Sequence, residues 1–278
     1  MAELADAHGL GPCEVKLVGV RLPSWAQMKI EFLGTSAGWP LPRLGCKCEI
    51  CSSTDPKDKR SRTQLLVNDK ILLDAGPDTY LHLINHSPSA VSHLLISHAH
   101  PDHIMGIWDL SHIYNQPEKI QLVVIQEVLN GLRQIPNFLL VQFKIKVIKP
   151  FETFEIDKNT KASYFPVEHS RLPAYGIKIK SGKILAYIPD FAQIPKRSKN
   201  EIKDAHILVI DGSSLATKAR SHQSIAQGLD LARELKAGQV YFVHLGHKTG
   251  IHQELEKFVQ ENGGRNFHIA YDTFTIVL

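Results

Sequence analysis

The chain of 278 residues sets 32 Lys and Arg against 28 Asp and Glu, a net charge of +4, with 43% hydrophobic and 22% charged residues. That composition is ordinary for a soluble globular enzyme and allows one large domain or two small ones. It holds no apolar run of roughly 18 residues that would span a bilayer and no dense Lys/Arg block, so a small anionic substrate suits it as well as a nucleic acid.

Residues 1–27 lack the charged and then apolar stretches of a signal peptide. Their phrases "AELADAH" and "GVRLPS" look like a transfer-RNA gene translated as protein. The segment is therefore expected to be a non-native or disordered extension, with the native start at Met28. A genuine extension is the alternative. Residues 28–278 are read as one domain. Of the four cysteines, Cys46, Cys48 and Cys51 cluster too tightly for a disulfide framework, so a reducing cytoplasm is expected.

From Met28, "MKIEFLG", "TQLLVN" and "KILLDAG" predict strands bounded by Gly, Asn and Asp. A helix is expected near 78–85, then a buried strand "HLLIS", then a helix from His103 through about Tyr114. "IQLVVI", "FKIKVI", "FETFEI", "KASYFPV", "YGIKIK" and "KILAYIP" continue as strands. The last third alternates strand "HILVID", helix 224–236, strand "QVYFVH", helix 250–261, and strands "FHIAYD" and "FTIVL". In the first of those helices Ile225, Leu229, Ala232 and Leu235 form a stripe facing the core. Strands in succession and then alternating with helices imply two sheets between helical layers, an α/β (α+β) sandwich.

The stretch "LLISHAHPDHIMGI" carries His98, His100, Asp102 and His103 directly after an apolar run. A polar turn would also use His, Asp and Pro, but so many imidazoles beside a carboxylate need a partner. Further candidate ligands recur at strand ends: His169 after "SYFPVE", Asp190 after "KILAYIP", His244 closing "QVYFVH". His222 is read as opening a helix. Imidazole suits zinc and other first-row ions, and carboxylates can bridge two of them. Two ions roughly 3.5–4 Å apart can activate a hydroxide and stabilise the oxygens of a phosphoryl displacement. The expectation is a dinuclear hydrolytic site without a Ser or Cys nucleophile.

"SHAHPDH" resembles the His-x-His-x-Asp-His signature of the metallo-β-lactamase superfamily, and the later order His169, Asp190, His244 is similar too. The resemblance runs from Met28 to the C-terminus and implies a four-layer αββα sandwich. It implies that His98, His100 and His169 hold one metal, that Asp102, His103 and His244 hold the other, and that Asp190 bridges. Pro101 departs from the family's more variable residue there. Asp74 in "LLDAGPD" matches the family's Asp-x-Gly strand end and would orient a ligand; Asp211 in "VIDGS" would act similarly or close a turn.

"GCKCEIC" spaces Cys46, Cys48 and Cys51 for one tetrahedral zinc, with His247 in "VHLGHKTG" as fourth ligand. Three unligated thiols are the alternative. "FLGTSAGWPLPRLGCKCEIC", "SHQSIAQGLDLAREL" and "VHLGH" look like PhnP-like phosphodiesterases of the carbon–phosphorus lyase pathway, which open a ribose 1,2-cyclic phosphate. That resemblance implies a structural zinc on Cys46, Cys48, Cys51 and His247, and a catalytic His222 beside Asp102 and Asp190. As an alternative, His222 caps the following helix. Ser170, Arg171 and Lys248 are either phosphate contacts or solvated surface.

The expected activity is metal-dependent hydrolysis of a small or cyclic phosphodiester through a hydroxide activated by two metals (Zn or Mn, with Fe or Ni open). A transfer-RNA 3′-processing ribonuclease, a pyrroloquinoline-quinone biosynthesis-like protein and an inactive metal-binding protein are the rivals. Nucleic acid is not favoured as partner, no membrane is expected, and a homodimer is left open because the group's members often look like dimers.

Overall fold

Short runs rich in Ile, Val, Leu and aromatics become fourteen strands in the computed structural model, which describes residues 28–216 and 221–278. The expectation about residues 1–27 lies outside the described residues. The strands are β1 (Lys29–Gly34), β2 (Gln64–Val67), β3 (Ile71–Leu73), β4 (His93–Leu95), β5 (Gln121–Ile125), β6 (Lys144–Ile148) and β7 (Thr153–Asp157). They continue as β8 (Thr160–Val167), β9 (Ala174–Ser181), β10 (Lys183–Ile188), β11 (Ile207–Asp211), β12 (Gln239–Val243), β13 (Phe267–Ile269) and β14 (Phe274–Val277).

They form two seven-stranded sheets, in the orders β14-β1-β2-β3-β4-β5-β6 and β13-β12-β11-β10-β9-β8-β7. In the first sheet β14, β1, β2 and β3 pair antiparallel, while β3 to β6 pair parallel. The second repeats the plan: β7 to β10 antiparallel, β10 to β13 parallel. Parallel strands covered on both faces should be largely apolar, as β11 is from Ile207 to Ile210, whereas the edge strand β6 carries Lys144 and Lys146. On β11, Ile207 and Val209 join the core between the sheets, whereas Leu208 and Ile210 join the core under the outer helices. Each of these side chains is fully buried, contributing about 1.5–3 kcal/mol. The αββα layering expected from the sequence is present.

Helices differ more from expectation. The helix after His103 stops at Leu110 and is split into Pro101–Ile104 and Ile107–Leu110. The break falls at Gly106, whose N–H donates to the Ala75 carbonyl at 2.8 Å. A Cβ there would lie 2.2 Å from the Gly76 oxygen, so only glycine allows the approach. Short helices at Gln126–Gly131, Asn137–Leu140 and Lys196–Ile202 had no expected counterpart. The helix expected at 224–236 spans Ile225–Glu234, and its cap is Ser224, in a capping box with Gln227. His222 therefore neither opens nor caps that helix, because Ser224 supplies the oxygen that the first-turn N–H groups need.

Candidate metal centre

Parallel pairing puts the C-terminal ends of β3 and β4 side by side in one sheet, and those of β10, β11 and β12 in the other. Asp74 follows β3, the run from Ser97 to His103 follows β4, and Asp190 and His244 follow β10 and β12, while Asp211 ends β11. His169 arrives from the end of β8. Loops beyond the carboxyl ends of parallel strands are where rigid sheets present functional groups. Asp74 and His244 both take left-handed backbone, with φ of 62° and 59°. Such conformations in non-glycine residues collect at functional sites.

Seven side chains converge. His100 Nδ1 lies 2.9 Å from His98 Nε2 and 3.2 Å from His169 Nε2. Asp190 Oδ2 lies 3.3 Å from His98 Nε2, 3.9 Å from His169 Nε2, 3.2 Å from His103 Nε2 and 3.3 Å from His244 Nε2. Asp102 Oδ2 is 3.3 Å from His103 Nε2 and 3.5 Å from His244 Nε2. The donors thus fall into two groups, His98–His100–His169–Asp190 and Asp102–His103–Asp190–His244, each with its donor atoms within 4.8 Å of one another.

Partners behind the rings fix which nitrogen faces inward. His169 Nδ1–H donates to the Ser221 carbonyl at 2.7 Å, and His103 Nδ1–H to Asp74 Oδ2 at 2.8 Å. The Ser97 hydroxyl donates to Asp74 Oδ2 at 2.9 Å, which leaves it to accept from His98 Nδ1–H at 3.0 Å. A neutral imidazole has one donor and one acceptor, so in the neutral form all three rings turn an Nε2 lone pair into the cluster. His103 Nε2, both nitrogens of His244 and Asp190 Oδ1 are buried without a hydrogen-bond partner. Each orphan costs about 1–3 kcal/mol, and facing lone pairs repel. Divalent cations between the two groups relieve both costs, and the mixed imidazole–carboxylate donors suit them: the residues fit two cations.

The two groups differ in charge: burial opposes charge on His103 and His244, yet Asp102 beside the first and Asp190 beside the second push both up, so these two rings hold protons that a cation would displace. Burial, helped by the neighbouring His103, pushes His98 down to about 4, keeping it a neutral ligand. Burial alone would raise Asp102 and Asp190, but His103 beside the first and His244 beside the second hold them below the usual carboxylate range. His222 Nδ1–H donates to Asp211 Oδ2 at 2.9 Å. Asp190 Oδ1 is equally near that nitrogen but lacks hydrogen-bond geometry, so the contact is electrostatic. Burial opposes charge on His222, yet the two carboxylates outweigh it and push it up to about 10.

A second cluster lies at the same edge. Cys46, Cys48, Cys51 and His247 bring their donor atoms within 4.8 Å of one another, with Cys46 Sγ 3.6 Å from His247 Nδ1. Hydrogen bonds led by the Cys48 backbone push the Cys46 thiol down to about 6, whereas burial pushes Cys51 up. Three sulfurs and one imidazole match a tetrahedral zinc. His247 shares the loop after β12 with His244. Between them Leu245 is fully buried, its N–H bonded to the Thr35 carbonyl and its oxygen accepting from Ala37 N–H, both at 3.0 Å. Gly38 follows closely, where a Cβ would lie 3.2 Å from Asp102 Oδ2.

Ser170, Arg171 and Lys248 are exposed on the loops after β8 and β12. Sequence reasoning missed Ser97, Tyr187 and the Ser221 carbonyl. A serine directly before the first ligand histidine was a signal for Ser97. A backbone carbonyl and a tyrosine inside an apolar strand gave none.

Residues 69–245 match the beta-lactamase superfamily domain. An octanoyltransferase of Porphyromonas gingivalis is 28% identical over 263 residues, covering 90% of this chain and 52% of that protein, so the chain spans about half that relative's length. Coenzyme PQQ synthesis protein B of Methylobacterium radiotolerans is 24% identical over 227 residues, 68% of this chain and 74% of that protein. Among solved structures, a diphosphatase from the PhnP family superposes with a TM-score of 0.81 at 24% identity, covering 91% of this chain and 97% of the other. The short form of human tRNase Z does so with a TM-score of 0.66 at 16% identity, covering 89% and 98%. At these identities the structural likeness is one of fold, shared with the PhnP-like branch that the cysteine motif suggested. The match over 69–245 takes in most of the chain, the His98–His103 run and His244 included, and this protein belongs to the metallo-β-lactamase superfamily.

Proposed function

We propose that this metal-dependent hydrolase cleaves a small or cyclic phosphodiester at the edge where the seven ligands meet. The observation that carries the reading is the convergence of two donor groups that share Asp190 Oδ2. His98, His100 and His169 would hold one cation and Asp102, His103 and His244 the other, with Asp190 between them. When bound, the cations supply charge that acidifies a water and steadies the phosphate oxygens during displacement.

The chain's own residues do the remaining work. Asp74, Ser97 and the Ser221 carbonyl hold three imidazoles in the tautomer a cation needs. Asp211, which accepts from His222 Nδ1–H at 2.9 Å, favours the protonated form of that ring. The His222 side chain is 25% exposed, so a substrate can reach it. With Nδ1–H anchored on Asp211, Nε2–H is free to pass its proton to the departing oxygen, the role of a general acid. Solvent then returns a proton to Nε2. Cys46, Cys48, Cys51 and His247 would hold one structural zinc, contributing folding free energy, and such thiolates suit a reducing compartment such as the cytoplasm. No helix among the described residues is long and apolar enough to cross a membrane.

A diphosphate link is a second reading, favoured by the likeness to the PhnP-family diphosphatase; the same charges would steady its cleavage. The test is turnover of bis-p-nitrophenyl phosphate, ribose 1,2-cyclic phosphate and a dinucleoside diphosphate by the metal-loaded protein. Hydrolysis of the first two, abolished by His100→Ala or Asp190→Ala with the fold kept, is expected. Cleavage of the diphosphate alone would favour the second reading, and unchanged turnover in either variant would remove the dinuclear site.

A further inference from the structure

The ligands come from both sheets: His98 to His103 follow β4 of the first, while Asp190 and His244 follow strands of the second. Their spacing therefore depends on how the sheets sit against each other. Apolar packing is non-directional and sets that distance only loosely, but a hydrogen bond across the interface sets it sharply. Tyr187, fully buried on the inner face of β10, donates its hydroxyl to Asp74 Oδ2 at 2.9 Å. The same oxygen accepts from the Ser97 hydroxyl at 2.9 Å and His103 Nδ1 at 2.8 Å, while Oδ1 accepts from Ser97 N–H at 2.7 Å. Of these donors Tyr187 is the one from the second sheet, and Asp190 stands three residues further along its chain.

We propose that the Tyr187 hydroxyl is a positioning group: through Asp74 it sets His103 against Asp190, and with it the cation affinity of the Asp102–His103–His244 group. The proposal rests on reading that group as a cation site. Tyr187 touches neither cation nor substrate; it acts by removing rotational freedom from Asp74, and thereby from the imidazole that Asp74 holds. A buried phenol needs some acceptor in any case, and Tyr164 shows what that need looks like alone. It is equally buried and also crosses between the sheets, donating to the Val123 carbonyl at 2.7 Å on a strand that carries no ligand; its oxygen also meets the Ile96 backbone, but it makes no hydrogen bond to Asp74 or His103.

The experiment titrates Co²⁺ into protein whose thiolate cluster is already filled with zinc. The His100→Ala chain loses a ligand of the other group only, so it reports the Asp102 group. Adding Tyr187→Phe to it should weaken Co²⁺ binding roughly 10- to 100-fold, the usual effect of losing a partner behind a metal ligand. Adding Tyr164→Phe instead should leave Co²⁺ binding unchanged while lowering the melting temperature. Should His100→Ala fail to fold, His169→Ala, which likewise removes a ligand of the other group only, serves the same comparison. Undiminished affinity with Tyr187→Phe, or equal weakening with Tyr164→Phe, overturns the proposal. Absence of Co²⁺ binding by the unaltered chain would instead remove the cation site on which it rests.

Discussion

Replacing Asp211 with asparagine isolates what one carboxylate does for His222. Asp211 is fully buried; Oδ2 accepts from His222 Nδ1 at 2.9 Å, and Oδ1 accepts from Ser213 N–H at 2.8 Å. Asparagine fills the same space with one acceptor and no charge, so one of the two donors loses its partner. A hydrogen bond to a charged group contributes about 1.5–3 kcal/mol. At about 1.4 kcal/mol per pKa unit, the pKa of His222 should fall by about 1–2 units. His222 must carry the proton it donates, so activity is present below its pKa and lost as pH rises through it. The basic limb of the rate profile should therefore move to lower pH by about 1–2 units. The assay is kcat/KM against pH for two diesters, one releasing p-nitrophenolate and one an alkoxide. The alkoxide needs a proton and the nitrophenolate does not, so His222→Ala should cost about 100- to 10,000-fold on the alkoxide diester and far less on the other. An unmoved basic limb, with equal losses on both diesters, would refute His222 as the acid.

Stripping divalent metals with a chelator should abolish turnover, and Zn²⁺ or Mn²⁺ should restore it; activity persisting in protein that elemental analysis finds metal-free would contradict the site. Cys51→Ser should release the structural zinc and cost about 3 kcal/mol, seen as a melting midpoint lower by roughly 6–12 °C; an unshifted melt with zinc retained would count against that cluster. Gly106→Ala would place a Cβ 2.2 Å from both the Gly76 oxygen and Thr79 Oγ1. It should cost about 3 kcal/mol or more and weaken cation binding by displacing the Pro101–Ile104 turn, which calorimetry would show.

The strands were readable because burial on one or both faces leaves a repeating apolar mark, as in "HILVID" and "QVYFVH". The candidate ligands were readable because polar residues at the ends of such runs stand out. Short helices such as Asn137–Leu140 left no periodic signal, since one turn cannot show a period of 3.6 residues. The split at Gly106 depends on Gly76, thirty residues away in sequence, and no local pattern reports it. Tyr187 looked like one more core aromatic. Its acceptor belongs to the other sheet, and only the packing of the sheets brings the two together.

The loop after β12 links the two clusters of candidate ligands with a fixed count of residues. His244 and His247 are three apart, Leu245 is pinned to the segment 35–37, and a Cβ on Gly246 would meet the Ser213 oxygen at 2.7 Å. An added or deleted residue here would shift one histidine away from its partners whichever side absorbed the change. In descendants of this sequence, and in libraries built to alter its metal preference, length variation should therefore gather elsewhere, while 244–247 keeps its count.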